Sequence, residues 1–105
     1  MQFMVVKQSD EFKSWLHGLK DDAAKARIAA RIKSVEVNGA AGLGDWKSVG
    51  GGIAEMRIKA GPGYRLYFRR EGDVLIVLLI GGDKGSQRRD IARAKEIWKR
   101  WKESE

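Results

Sequence analysis

An α+β domain is the fold class this sequence predicts, and three observations predict it. Residues 53–82, IAEMRIKAGPGYRLYFRREGDVLIVLLIGG, hold three strand-like runs divided by two short turns. Residues 9–38 carry two successive helical periodicities parted by a pair of aspartates. A further helical periodicity follows Ser86. The 105 residues read as a single domain, 1–105, with no internal repeat and no dividing linker. The expected architecture is an N-terminal strand and an αα-hairpin packed on a small, mostly antiparallel sheet, with a C-terminal helix.

Residues 2–7 read as a short strand with Phe3 and Val5 on one side and Met4 and Val6 on the other. Ser9 suits an N-cap, and Asp10 and Glu11 suit the positive end of a helix dipole. Phe12, Trp15, Leu16 and Leu19 then form one apolar stripe in a helix ending near Lys20. His17, the single histidine, lies off that stripe and reads as a surface residue. Asp21 and Asp22 can cap a second helix with Ala24, Ile28, Ile32 and Val35 inward and Arg27, Arg31 and Lys33 outward. Asn38-Gly39 stops it. Residues 39–52, GAAGLGDWKSVGGG, join a helix to a strand and lack the lysine spacing of a phosphate-cradling loop. They read as a flexible connection pinned by Trp46 and Val49.

The sheet runs are Ile53 to Ala60, Tyr64 to Arg70 and Val74 to Ile80. Gly61-Pro62-Gly63 and Glu71-Gly72-Asp73 supply turn chemistry between them. Side chains alternate faces along a strand, so parity sorts them. Met56, Ile58, Tyr64, Leu66 and Phe68 form an apolar face expected beneath the helical hairpin. Glu55, Arg57, Lys59, Arg65, Tyr67 and Arg69 take the opposite face, expected to be open and basic. The third run does not alternate and is expected to be buried on both sides. Gly81-Gly82 permits a tight exit, Ser86 is the expected N-cap of the final helix, and Ile91, Ala94, Ile97, Trp98 and Trp101 form its apolar face.

The net charge is +7, with a sequence pI near 9.9. Residues 1–50 are nearly balanced, eight bases against six acids, whereas residues 53–70 hold Arg57, Lys59, Arg65, Arg69 and Arg70 against Glu55 alone. Bases concentrated on one sheet face are the footprint of a nucleic-acid binder; a merely solvated surface is the competing interpretation. With no cysteine, disulfide frameworks and thiolate metal sites are excluded, and a reducing cytoplasm fits. Phe3-Met4-Val5-Val6 is too short for a signal peptide, and no apolar run is long enough to span a bilayer, so no membrane partner is expected. One histidine, no cysteine and no close carboxylate pair leave no expected metal or cofactor, and no serine stands beside a histidine base. Metal-free RNA cleavage needs a base for the ribose 2′-OH, cations for the charge gathering on phosphorus, and a proton for the departing 5′-oxygen. The polar face holds residue types suited to this, but they suit simple binding and cross-strand ion pairing equally.

A set of local elements adds to this. Phe12-x-x-Trp15-Leu16-x-x-Leu19-Lys20-Asp21, Arg27-Ile28-x-x-Arg31 and Glu55-Met56-Arg57-Ile58 are followed by Gly61-Pro62-Gly63-Tyr64-Arg65-Leu66-Tyr67-Phe68 and Gly81-Gly82-Asp83-Lys84-x-x-Gln87-x-x-Asp90-Ile91. In this order and length the chain resembles the RelE/ParE superfamily of bacterial toxins, in its HigB-like or phage Gp49-like branch. The resemblance implies a RelE-like fold and the toxin of a type II toxin–antitoxin system. It implies a metal-independent mRNA endoribonuclease, active on the ribosome in many members, that inhibits translation and is neutralised by a cognate antitoxin, a small helix-turn-helix protein. It assigns phosphate stabilisation to Arg65, with Arg57 and Lys59 assisting, and the base to Glu55. Tyr67, Arg69, Lys84 and Arg88 are the further candidate RNA contacts. Many RNase relatives carry a Tyr or His near the C-terminus, where this chain has Lys84, Gln87, Arg88 and Asp90, so the general acid is unassigned. A ParE-type DNA gyrase inhibitor of the same fold and a non-catalytic nucleic-acid-binding module are the alternatives.

Overall fold

A computed structural model describes residues 3–104 and has the predicted α+β architecture. The strand expected over 2–7 is β1, Val5–Gln8; Gln2 lies outside the described residues. It leads through Ser9 into α1, Asp10–Gly18, and then α2, Asp22–Asn38. β3 (Ile53–Ile58), β4 (Tyr64–Glu71) and β5 (Leu75–Asp83) follow, preceded by a strand β2 (Trp46–Gly50), and α3 spans Gln87–Ser104. The sheet order is β1-β5-β4-β3-β2, antiparallel except where β1 runs parallel to β5.

The face sorted as apolar is buried beneath the hairpin. Phe12, Ala24, Ile28 and Val35 pack there against Met56, Ile58, Tyr64, Leu66 and Phe68. The opposite face departs from expectation. It is not open: α3 lies across it, and Ala94 and Ile97 pack on Ile53, Tyr67, Val77, Leu79 and Ile80. The reason is β5, buried on both faces from Ile76 to Gly82. A strand apolar on both sides needs cover on both sides, and the apolar stripe of α3 supplies the second layer.

The glycine-rich stretch is not a loose connection either. Gly39–Leu43 forms a 3₁₀ turn, and β2 pairs antiparallel with β3 as an edge strand. Gly42 lets this turn press on α2, since a Cβ there would stand 2.2 Å from the Ser34 carbonyl oxygen. Leu43, fully buried, is the deeper pin; Val49 is half-buried and Trp46 is exposed, its ring edge-on to Phe68. Gly81 and Gly82 likewise serve close approach, not a turn. A Cβ at Gly81 would collide with the Trp15 ring and one at Gly82 with the Asp90 carboxylate. Capping before α3 falls to Asp83, whose carboxylate accepts from Gly85 N at 2.8 Å, while the expected cap, Ser86, donates to the carboxylate of Asp90.

Ser9 ties the start of α1 to β5. Its hydroxyl accepts from Phe12 N at 2.9 Å, capping α1 as expected, and donates to the Leu79 carbonyl at 2.6 Å. Leu79 sits where the β4–β5 register slips between Tyr67 and Phe68, so its carbonyl stands at a bulge. Ser9→Ala removes a helix cap and orphans a buried carbonyl. It should cost about 2 kcal/mol in urea unfolding, within the range of either loss; a variant within a few tenths of wild type would show that Ser9 links nothing.

Candidate functional site

The register of β3 on β4 places Glu55 opposite Tyr67 and Arg57 opposite Arg65. Odd-numbered residues of both strands share the α3 side, so the three predicted catalytic residues Glu55, Arg57 and Arg65 come together. Two guanidinium groups directly opposite each other repel, and a carboxylate offsets this. Glu55 is that carboxylate: its side chain has 0% exposure and its Oε1 lies 3.3 Å from Arg57 Nε. Arg57 also stands 3.9 Å from Asp45 at the rim and is about one-third exposed. A buried carboxylate without such a partner would be costly, so the pair holds Arg57 in place as much as it holds Glu55.

The first turns of α3 complete the cluster. The Gln87 amide nitrogen lies 3.4 Å from Glu55 Oε2. In the opposite amide orientation its oxygen accepts from Arg65 Nε at 3.2 Å and its nitrogen donates to the Lys84 carbonyl at 3.3 Å. Gln87 therefore stands between Glu55 and Arg65 and can engage either. One turn on, Asp90 is 5% exposed, bonded by the Ser86 hydroxyl and 3.8 Å from Arg89 Nε. Gly82 is what lets it approach the sheet.

Tyr67 was expected on an open face and is instead fully buried, because α3 covers it. Its hydroxyl has no hydrogen-bond partner among the described residues. Burial, then the charges of Glu55 and Asp90, pushes its phenol far above the ordinary value of 10.0. At neutral pH it is a protonated, desolvated phenol inside the cluster, not an exposed RNA contact.

The remaining candidates separate. Lys59 is exposed just beyond β3, and Lys84 and Arg88 are exposed at the start of α3. Arg69 lies farther along β4 and is engaged in structure: it donates to the Gly52 carbonyl at 3.3 Å and its guanidinium stacks 5.1 Å from the Trp98 ring. Sequence reasoning missed Gln87 and Asp90 as members of the site. The signal was present, for 87, 90, 94 and 97 fall on one helical face, whose first two positions are polar. Among the described residues no three His, Cys, Asp or Glu side chains gather as metal ligands, and no helix is long and apolar enough to cross a membrane.

Comparison with known proteins bears on the family and the fold. Residues 14–102 match the family model described as phage derived protein Gp49-like (DUF891). An uncharacterized protein of Haemophilus influenzae is 48% identical over 90 residues, covering 86% of this chain and 88% of its own. Among solved structures, the free state of an E. coli RelE toxin bearing two arginine-to-alanine substitutions superposes with a TM-score of 0.55 at 14% identity, covering 86% of this chain and 93% of that one.

The buried phenols, Tyr67 in the site and Tyr64 on the hairpin side of the sheet, give the protein a pH signature. Tyr67 and Tyr64 both have raised pKa values, burial being the first cause in each. The folded state thus binds these protons more tightly than the unfolded chain, and the stability they contribute is complete below the ordinary tyrosine value and lost as pH rises past it. The native protein should show little phenolate absorbance at a pH where the unfolded chain is half ionised. Tyr67→Phe should fold with unchanged or slightly greater stability, since it deletes an unsatisfied hydroxyl. A native titration with both tyrosines at the ordinary value would remove the desolvated phenol from this site.

Proposed function

The chain belongs to the phage-derived Gp49-like family and has a RelE-like fold, and from that premise we propose that it is the toxin of a toxin–antitoxin pair and cleaves mRNA. The observation that carries the reading is the Arg57–Arg65 pair, set opposite each other across β3 and β4 and backed by the buried Glu55 carboxylate. Two fixed cations that repel in the resting protein are relieved by a phosphate between them, and a guanidinium offers that phosphate parallel donors.

In the proposed reaction the ribose 2′-oxygen attacks the adjacent phosphorus, and the bond from phosphorus to the 5′-oxygen breaks. A 2′,3′-cyclic phosphate and a 5′-hydroxyl result. Arg65 and Arg57 hold the charge that gathers on the non-bridging oxygens. Glu55, expected from sequence as the base, is as fully buried as Tyr67, so its part is to hold Arg57 in place, and solvent takes the 2′ proton and supplies the one for the 5′-oxygen. An antitoxin, which the family resemblance implies to be a small helix-turn-helix protein, restrains this activity, and the net charge of +7 favours a partner segment of opposite sign.

Arg65→Ala should lower single-turnover RNA cleavage by about 10²–10³, the scale of losing one preorganised donor. Arg65→Lys should recover little of it, because the fork geometry is lost, and both variants should melt close to wild type. Induced in cells, the wild-type chain should degrade transcripts and stop translation before any DNA-damage response. Intact transcripts with an early damage response would replace this reading with gyrase inhibition, and a folded Arg65→Ala protein that still cleaves would remove Arg65 from the site.

A further inference from the structure

Positive charge continues from the Arg57–Arg65 pair into a groove between α2 and the end of β3. Arg27, Ala30 and Arg31 form the helix wall, Arg57 and Lys59 the strand wall, and Asp45 is the acidic residue of the lining; the volume is about 470 Å³. Four cations here face one carboxylate. Arg57 is compensated by Glu55 and Asp45, but Arg27 and Lys59 are exposed and have no ion pair among the described residues. Arg27 and Arg31 stand four residues apart on one helix, where like charges destabilise.

The groove is also built. Arg31 Nη1 donates to the carbonyls of Leu43, at 3.0 Å, and Arg57, at 3.4 Å, which fixes its guanidinium between the turn after α2 and the strand. Gly44 makes the room: its φ is +67°, and a Cβ there would sit 2.7 Å from the Arg31 guanidinium carbon. The glycine-rich stretch thus shapes a cationic wall. Fixed, mutually repelling and incompletely neutralised charges mark an anion site, and their spread along a groove suits a chain of phosphates better than a single one.

We propose that this groove carries the backbone of single-stranded RNA leading away from the Arg57–Arg65 pair, with Arg57 shared by both. The proposal rests on the RNA-cleaving reading above and extends it to the flanking nucleotides. Arg31 and Lys59 grip phosphates along the two walls, and Arg27 extends the helix wall outward. None of these side chains reads bases, so the groove adds affinity without sequence preference.

The test uses uncleavable 2′-O-methyl oligouridines of about 4 and about 12 nucleotides, lengths that bracket typical single-strand sites. Binding is measured against salt for wild type, Arg27→Glu and Ala30→Glu. Ala29→Glu, also exposed on α2 but outside the groove, controls for net charge. Wild type should bind the long oligomer more tightly than the short one. The two groove variants should lose most of that preference, with a log–log salt slope lower by about 1 for each phosphate no longer neutralised. The short oligomer and the control variant should be unaffected. Wild-type preference for the long oligomer with unaltered groove variants would overturn the groove alone, as would equal losses in Ala29→Glu. Wild-type failure to bind either oligomer would fell the RNA-cleaving reading and the groove with it. Unchanged RNA binding together with lost affinity for a polyglutamate peptide would assign the groove to an acidic protein segment and overturn the proposal.

Discussion

The constraint on which this structure depends is the two-sided burial of β5. A strand that is apolar on both faces cannot sit at the surface of a two-layer domain. It needs the α1–α2 hairpin on one side and α3 on the other, and β1 and β4 along its edges. The polarity of α3 then follows the polarity of the face it covers. Its first turns bring Gln87 and Asp90 to the end of the sheet that holds Glu55 and Tyr67, and its later turns bring Ala94 and Ile97 to Ile53, Val77 and Leu79. One helix closes the core at one end and furnishes the site at the other.

Much of this was legible in the sequence, and the misses have a common cause. Parity sorted β3 and β4 correctly because Met56 and Ile58 on one strand and Tyr64, Leu66 and Phe68 on the other share an apolar face, and Ser9 was readable because a cap needs only its own neighbours. The cover over the polar face was not read, although the unbroken apolar run of β5 and the unpartnered stripe of α3 together demand it. Local pattern identifies each element; which element covers which face is a property of the whole. β2 was missed because WKSVG is short, lies at an edge and is flanked by glycines, a composition indistinguishable from a loop. Gly42, Gly44, Gly81 and Gly82 were visible as glycines, but the groups they make room for, Ser34, Arg31, Trp15 and Asp90, lie in other elements. The placements of Glu55, Arg57 and Arg65 followed from register alone, whereas the membership of Gln87 and Asp90 required knowing where α3 lies.

The candidate site is where the chain departs from what stability alone would select. Opposed arginines, a carboxylate without exposure and a phenol without a partner all lie on one patch of sheet. Local rules broken together in one place are where a candidate functional site is sought. The amide of Gln87 lies within hydrogen-bond distance of both Glu55 and Arg65 and ties the first turn of α3 to that patch.

The Ser9–Leu79 link also governs when this chain can become a folded protein. The two residues are 70 positions apart, and β1, the first strand made, pairs only with β5, the last. Closing so long a loop is entropically unfavourable until the intervening hairpins are in place, and a topology rich in such pairings folds slowly. During vectorial synthesis β1 has no strand to pair with until β5, ending at Asp83, has been made, and the second layer must wait for α3. Chains cut short before α3 therefore lack the second layer and bring neither Gln87 nor Asp90 to Glu55 and Tyr67.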